Sequence, residues 1–290
     1  MANIQWYPGH MAKAKRELKE RLPLVDVVFE LVDARIPDAS RNPSVQEIIQ
    51  EKPYVLILMK PDLANPDMTN QWLNYYKNQG IEAITFNGKS AQGINKIVDA
   101  AKNVLSKNFA RREDKGMKER AIRSVTVGIP NVGKSTLINR FAGKNVTQTG
   151  DRPGVTKAQQ WIKYKDQVEL LDMPGILWPK FEDQEVGQKL ALTGAIKETI
   201  YYVDDISIYG IEFIRENYPG VLAKRYNFSN EEEQSLSAPD LLLLITKKRG
   251  FFDDYEQGAK MLLNELRAGK LGRMTFETPK DLKTDEETND

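Results

Sequence analysis

The sequence predicts an α/β fold, a parallel-rich sheet between helices, followed by an all-helical C-terminal domain. Three observations predict it. Apolar runs of strand length alternate with helical patterns over the first 180 residues. A glycine-rich G-x-x-x-x-G-K-S turn sits between one such run and a helix. Beyond about residue 181 the strand signal fades and helical patterns take over. At 290 residues the chain can bury two separate cores, so the expected organisation is a first domain over 1–180 and a helical domain over 181–290 that ends in a polar tail.

The elements follow in order. HMAKAKRELKERL (10–22) is a basic helix stopped by Pro23. DVVFELVDAR (26–35) is a buried strand whose carboxyl end carries Asp33 and Arg35. YVLILMK (54–60) is a second buried strand, followed by a helix near 66–79, a strand at 81–86 and a helix near 91–107. That βαβ order predicts a parallel sheet. The charge-dense stretch 106–123 reads as a solvated connector or as a nucleic-acid surface, and composition favours the connector. SVTVGIPNVGKST (124–136) resumes the alternation, and WIKYKDQVELLDMPG (161–175) predicts two strands and a loop. Helices are expected at 185–200, 205–217, 236–246 and 254–268, and the final TPKDLKTDEETND is a frayed tail. No internal repeat is visible.

Composition removes several classes of function. Hydrophobic residues at 40%, charged residues at 29% and a net charge of +1 are ordinary, so any nucleic-acid surface must be local. The absence of cysteine excludes disulfides, thiol catalysis and cysteine-ligated metals, and the single histidine, His10, argues against a histidine-built zinc site. The start of the chain is polar and basic, and no run approaches the roughly 18 apolar residues of a membrane span. The expectation is a soluble, cytoplasmic protein without a membrane partner.

GIPNVGKS (Gly128 to Ser135) carries the strongest chemical signal. Its glycines let successive backbone N–H groups, across Asn131, Val132, Gly133, Lys134, Ser135 and Thr136, face phosphates. Lys134 reaches the β and γ oxygens, and the Ser135 hydroxyl can ligate Mg²⁺. DMPG (Asp172 to Gly175) ends an apolar strand as the D-x-x-G element of GTPases does: Asp172 holds Mg²⁺ and the Gly175 N–H senses the γ-phosphate. PGVT (Pro153 to Thr156) supplies Thr156, which could close on the same metal and phosphate. No N-K-x-D guanine element follows Asp172. Upstream, LMKPD places Met59, Lys60 and Asp62 at a strand end, and FNGKSAQG places Asn87, Gly88 and Lys89 in a base-contacting loop. The base half of the site precedes the phosphate half, the order of a circularly permuted P-loop GTPase that binds GTP and GDP.

WYPGHMAKA, DARIP (33–37), GIPNVGKST, PGVT and LLDMPGILWPKFED (170–183) together resemble the ribosome biogenesis GTPase A family, bacterial circularly permuted GTPases of the YlqF type. The likeness runs from Trp6 to roughly Arg273 and is weakest in the helical part. It implies action late in assembly of the large (50S) ribosomal subunit, contact with its rRNA through the C-terminal domain, and a monomer. This sequence departs from the family at Met59, where N-K-x-D has asparagine. A thioether accepts only weakly and donates nothing, so the lost bond costs on the order of 1 to 3 kcal/mol and nucleotide binding is expected to be weaker. Asp62 still discriminates guanine.

The resemblance also bears on catalysis. Ile176 stands where Ras-like enzymes carry the glutamine that orients water, and Ile129 is the matching apolar residue of the P-loop. In the family the catalytic role belongs to the histidine of Y-P-G-H, which is His10 here. From the residues alone, His10 would merely cap the basic helix behind it. Asn131 matches the P-loop asparagine that coordinates K⁺ in potassium-activated GTPases, where the ion acts as an arginine finger would; its alternative role is to stabilise the turn. The basic sets Lys13, Lys15, Arg16, Lys19, Arg21 and Lys247, Lys248, Arg249, Lys270, Arg273 could meet rRNA phosphates. Trp178 is expected to pack between domains. Two competing readings are a GTPase of tRNA modification or ion transport, disfavoured by motif order, and a non-catalytic RNA-binding scaffold, which only Met59 supports.

Overall fold

The computed structural model describes residues 9–49, 52–90, 93–114, 120–143, 161–177, 181, 183–252 and 254–279, with the side chains of 9–11 and 111–113 excepted. The described residues divide into two compact units, one of 9–177 with 277–279 and one of 181–276. The expectation placed everything beyond 181 in one helical domain. Glu277 instead joins the sheet unit: its carboxylate accepts the N–H groups of Asp38 (2.8 Å) and Ala39 (3.0 Å), and its carbonyl accepts the Trp72 indole N–H (3.2 Å).

Strands form in the first unit where the sequence is continuously apolar. β1 (Val27–Asp33) is buried throughout and β2 (Tyr54–Met59) in all but its first residue, as parallel strands covered on both faces are. With β3 (Ala83–Phe86), β4 (Ile122–Gly128), β5 (Trp161–Tyr164) and β6 (Val168–Leu171) they make a six-stranded sheet ordered β3-β2-β1-β4-β6-β5. All pairings are parallel except that of β5 with β6, which closes one edge as an antiparallel hairpin. Registers align the carboxyl ends: Leu31 lies opposite Gly128, Asp33 opposite Met59, and Met59 opposite Phe86.

Among the described residues five helices accompany this sheet: α1 (Gly9–Arg21), α2 (Pro43–Ile49), α3 (Pro66–Asn78), α4 (Ile94–Glu113) and α5 (Lys134–Ala142). α3 begins where Asn65 accepts the N–H groups of Asp67 and Met68, with Pro66 preset for the first turn. Its buried face of Thr69, Trp72 and Tyr76 packs with Val32, Leu56 and Leu58. A second cluster joins Ala14 and Leu18 of α1 to Val125, Val127, Met173 and Ile176. α2 was not expected from the sequence, because its seven residues bury only Val45 and Ile49.

The second unit is helical: α6 (Gln184–Leu192), α7 (Val203–Asn217), α8 (Val221–Tyr226), α9 (Asn230–Ser235), α10 (Ala238–Lys248) and α11 (Tyr255–Arg267). α11 packs on α7 and α10 through Leu262, Leu263, Ile206, Ile211, Leu241 and Ile245, all buried. The helix expected over 185–200 stops at Leu192, because Gly194 takes a left-handed φ of 84° and donates its N–H to Ala191; 198–200 is a separate 3₁₀ turn. The six-residue helices α8 and α9 escaped the sequence reading, being too short for a period. Glu233, fully buried in α9, closes the start of α8 by accepting the N–H groups of Gly220 (2.8 Å) and Ala223 (2.7 Å). Among the described residues no helix is long and apolar enough to cross a membrane.

Candidate functional site

Strand order places the site. From β1 the chain steps outward to β2 and β3, then returns to lay β4 on the other side of β1. A parallel α/β sheet opens a crevice beyond the carboxyl ends of its strands at such a reversal. The segments following β1, β2, β3, β4 and β6 all leave the sheet on that edge, and they carry DARIP, KPD, NGK, the P-loop and DMPG.

On the phosphate side, β4 ends at Gly128, whose backbone lies so close to β1 that a Cβ there would meet the Leu31 carbonyl oxygen at 2.7 Å. No other residue fits without moving the strand. The loop turns through Asn131 (φ 57°) and Gly133 (φ 115°) into the amino end of α5, the kind of place where backbone N–H groups bind anions. The Lys134 ammonium bridges back across the loop, donating to the carbonyls of Gly128 (3.1 Å) and Ile129 (2.8 Å). Burial pushes its pKa down to about 8, against the opposing pull of Asp172. Asp172, at the end of β6, has its own pKa raised by burial, while the Lys134 charge and the Met173 N–H act in the other direction.

D-x-x-G and the P-loop are in contact. A Cβ on Gly175 would meet the Lys134 Nζ at 3.0 Å and Pro130 at 3.1 Å, and Ile176 donates its N–H to Gly128 at 3.1 Å. Among the described residues no group of three or more acidic or histidine side chains could hold a metal alone. One hydroxyl, Ser135, and one carboxylate, Asp172, fit Mg²⁺ bound with nucleotide phosphates, since that ion needs few protein oxygens and keeps several waters. Asn131 stands exposed in the loop and carries an amide oxygen, a donor type suited to a monovalent cation. Thr156 lies outside the described residues, as does Trp178.

On the base side, Met59 is buried at the end of β2, and its methyl would lie 2.9 Å from a Cβ on Gly133. The base strand therefore touches the P-loop through van der Waals contact where an asparagine would hydrogen-bond. Lys60, at φ 58°, turns the chain and donates Nζ to Asp33 Oδ2 at 3.0 Å. Asp62 pairs with Lys89 at 2.6 Å. Asn87 accepts the Lys89 N–H at 2.9 Å, and Gly88 lies against Thr136, whose methyl would be 2.5 Å from a Cβ there.

Three charged groups behind this edge had no role in the sequence reading. Asp33 accepts Arg35 Nε (2.9 Å), Arg35 Nη2 (2.7 Å) and Lys60 Nζ, and Asp33 and Arg35 are each 2% exposed. Charged residues at the carboxyl end of a central parallel strand were the available signal. Arg140 of α5, which donates to the Gly88 carbonyl at 2.9 Å and the Lys89 carbonyl at 3.1 Å, left no signal, because backbone carbonyls have no sequence signature. Position 10 falls in the first turn of α1, one turn before Ala14; the His10 side chain lies outside what is described.

Comparison with known proteins agrees with this geometry. Residues 123–247 match a family described as 50S ribosome-binding GTPase. The chain is 49% identical over 281 residues to Ribosome biogenesis GTPase A of Bacillus pumilus, covering 95% of this chain and 99% of that protein. It is 51% identical to the protein of the same name from Priestia megaterium, with 96% and 98% covered. Among solved structures, GNP-bound YlqF from T. maritima superposes with a TM-score of 0.63 at 28% identity, covering 92% of this chain and 98% of that one. A GDP-bound YlqF gives 0.65, also at 28% identity, with 92% and 100% covered.

Proposed function

As a member of the ribosome biogenesis GTPase A family, this chain is a GTPase of ribosome biogenesis, and we propose that it binds the immature large (50S) subunit and hydrolyses GTP to promote a late assembly step and its own release. It would act in the cytoplasm as a monomer. Its exposed basic residues, among them Lys13, Lys19, Lys247 and Lys248, would meet rRNA phosphates, with affinity that falls as salt rises.

The observation that carries this reading is the seating of α1. Ala14 and Leu18 pack into one cluster with Met173 and Ile176, the residues that flank Pro174 and Gly175 of D-x-x-G. Position 10 continues the i, i+4 stripe of 14 and 18 toward the amino end of that helix. Ile176 is fully buried in this cluster, so the residue after D-x-x-G serves packing and orienting the water falls to another group. We assign that role to His10. Lys134 neutralises the β and γ oxygens, Gly175 N–H binds the γ-phosphate, and Asp62 accepts from guanine N1 and N2, with Lys60, Asn87, Gly88 and Lys89 enclosing the base. Ser135, Asp172 and Thr156 would hold Mg²⁺, which would supply positive charge against the phosphates. Asn131 would hold K⁺ against charge developing in the transition state.

Phosphate release from GTP, measured in K⁺ and in Na⁺ buffer with and without purified large subunits, tests the proposal. Marked stimulation by the subunit in K⁺, lost in His10→Ala with GTP affinity retained, is the expected result. No stimulation with nucleotide binding intact would favour the scaffold reading, and equal rates in the two salts would remove the K⁺ role.

A further inference from the structure

The base-contacting loop and the phosphate-binding helix are separate segments of the chain, 52 residues apart at their contact. Something must hold them in register, and the contact at Met59 is only a methyl against Gly133. Loop 87–90 spends its own donors internally: Lys89 N–H goes to Asn87 Oδ1 (2.9 Å) and Ser90 N–H to the Asn87 carbonyl (3.3 Å). Its carbonyls at Gly88 and Lys89 are taken by the two arms of one guanidinium, Arg140 Nε and Nη2, at 2.9 and 3.1 Å. Beside them Gly88 rests directly on Thr136 in the first turn of α5. The Lys89 ammonium in turn holds Asp62. A continuous path therefore runs from Lys134 along α5 to Arg140, across to loop 87–90, and on to the carboxylate that reads guanine.

We propose that Arg140 is a positioning residue that ties the base-recognition loop to the P-loop helix, so that guanine affinity depends on a side chain outside the nucleotide-contacting set assigned above. This rests on the reading of 59–62 and 87–89 as the guanine side of the site. The planar fork matters, because two successive carbonyls are engaged together; a lysine would reach one. Loosening this link frees the base loop while leaving the phosphate cradle, which is built by Gly128, Gly133 and the first turn of α5, as it is.

The test is competition binding on the full-length protein with GDP, ADP and inorganic pyrophosphate, for the wild type, Arg140→Ala and Arg140→Lys, with melting temperature measured alongside. Arg140→Ala is expected to weaken GDP about five- to tenfold, the net worth of about one hydrogen bond, with pyrophosphate affinity unchanged and Arg140→Lys in between. Unchanged GDP affinity overturns the proposal. So does an equal loss for GDP and pyrophosphate, which would mean general damage to the unit. A wild type that fails to prefer GDP over ADP would instead sink the guanine-site reading itself, whatever the variants do.

Discussion

Asp33 and Lys134 lie at the carboxyl ends of neighbouring parts of one sheet, and burial acts on them in opposite senses. Burial alone would raise the Asp33 pKa, but Arg35 and Lys60 hold it well below the ordinary carboxylate range. Its contribution to stability is complete above the ordinary carboxylate pKa and fades only in strong acid, as the pH falls toward the depressed value. Among the described residues Asp172 alone opposes the effect of burial on Lys134, whose pKa falls to about 8. Bound phosphate draws that pKa back up, so nucleotide binding at pH 8.5, where the phosphates of GDP are already ionised, should take up a substantial fraction of a proton. Calorimetry in buffers of different ionisation enthalpy measures this, and zero uptake would contradict it. Met59 gives a second expectation. Met59→Asn should tighten GDP binding by about 1 to 3 kcal/mol, yet lower the melting temperature of the free protein, because it puts an amide where a buried thioether packs on Gly133.

At the scale of elements, length decided what could be read. α3, α7, α10 and α11 have 11 or more residues, enough for the 3.6-residue period to repeat, and each was expected within a few residues of its bounds. α8 and α9 have six each, too few for the period to repeat; Glu233 of α9 caps the start of α8, and a local capping box of Ser229 with Glu232 starts α9. Gly258 shows a constraint of the same kind. Any Cβ at this position of α11 would run into the Thr246 side chain on α10, so Gly258→Ala should destabilise the helical unit by about 1 to 3 kcal/mol despite its better helix propensity. Chemical denaturation measures this; a more stable variant would mean that the two helices separate freely.

For the whole molecule, the return of the chain at Glu277 is the feature with the clearest consequence. Its carboxylate accepts the N–H groups of Asp38 and Ala39, in the turn that follows Asp33 and Arg35, and the side chain is nearly buried. Glu277→Ala would strand both donors and cost about 2 kcal/mol, while Glu277→Gln, which keeps one acceptor, should recover part of it. Equal melting temperatures for all three proteins would show that the last segment is dispensable to the sheet unit. Motif order made the permutation itself legible, since LMKPD precedes the P-loop and DMPG follows it. Strand order adds why the permutation is tolerated: β1 pairs with β2 on one side and β4 on the other, so the sheet is indifferent to where the chain starts.

The sequence by itself determined the chemistry and the class of fold. Glycine spacing, a lysine and serine after a turn, and continuous apolar runs are local patterns that each state their purpose within a few residues. Only the tertiary structure decided which remote groups meet: Lys60 on Asp33, Arg140 on the backbone of loop 87–90, α1 on Ile176, and Glu277 on the turn after β1. These contacts depend on the distance between segments far apart in the chain, and many end on backbone atoms or methyl groups, which every sequence contains and none announces.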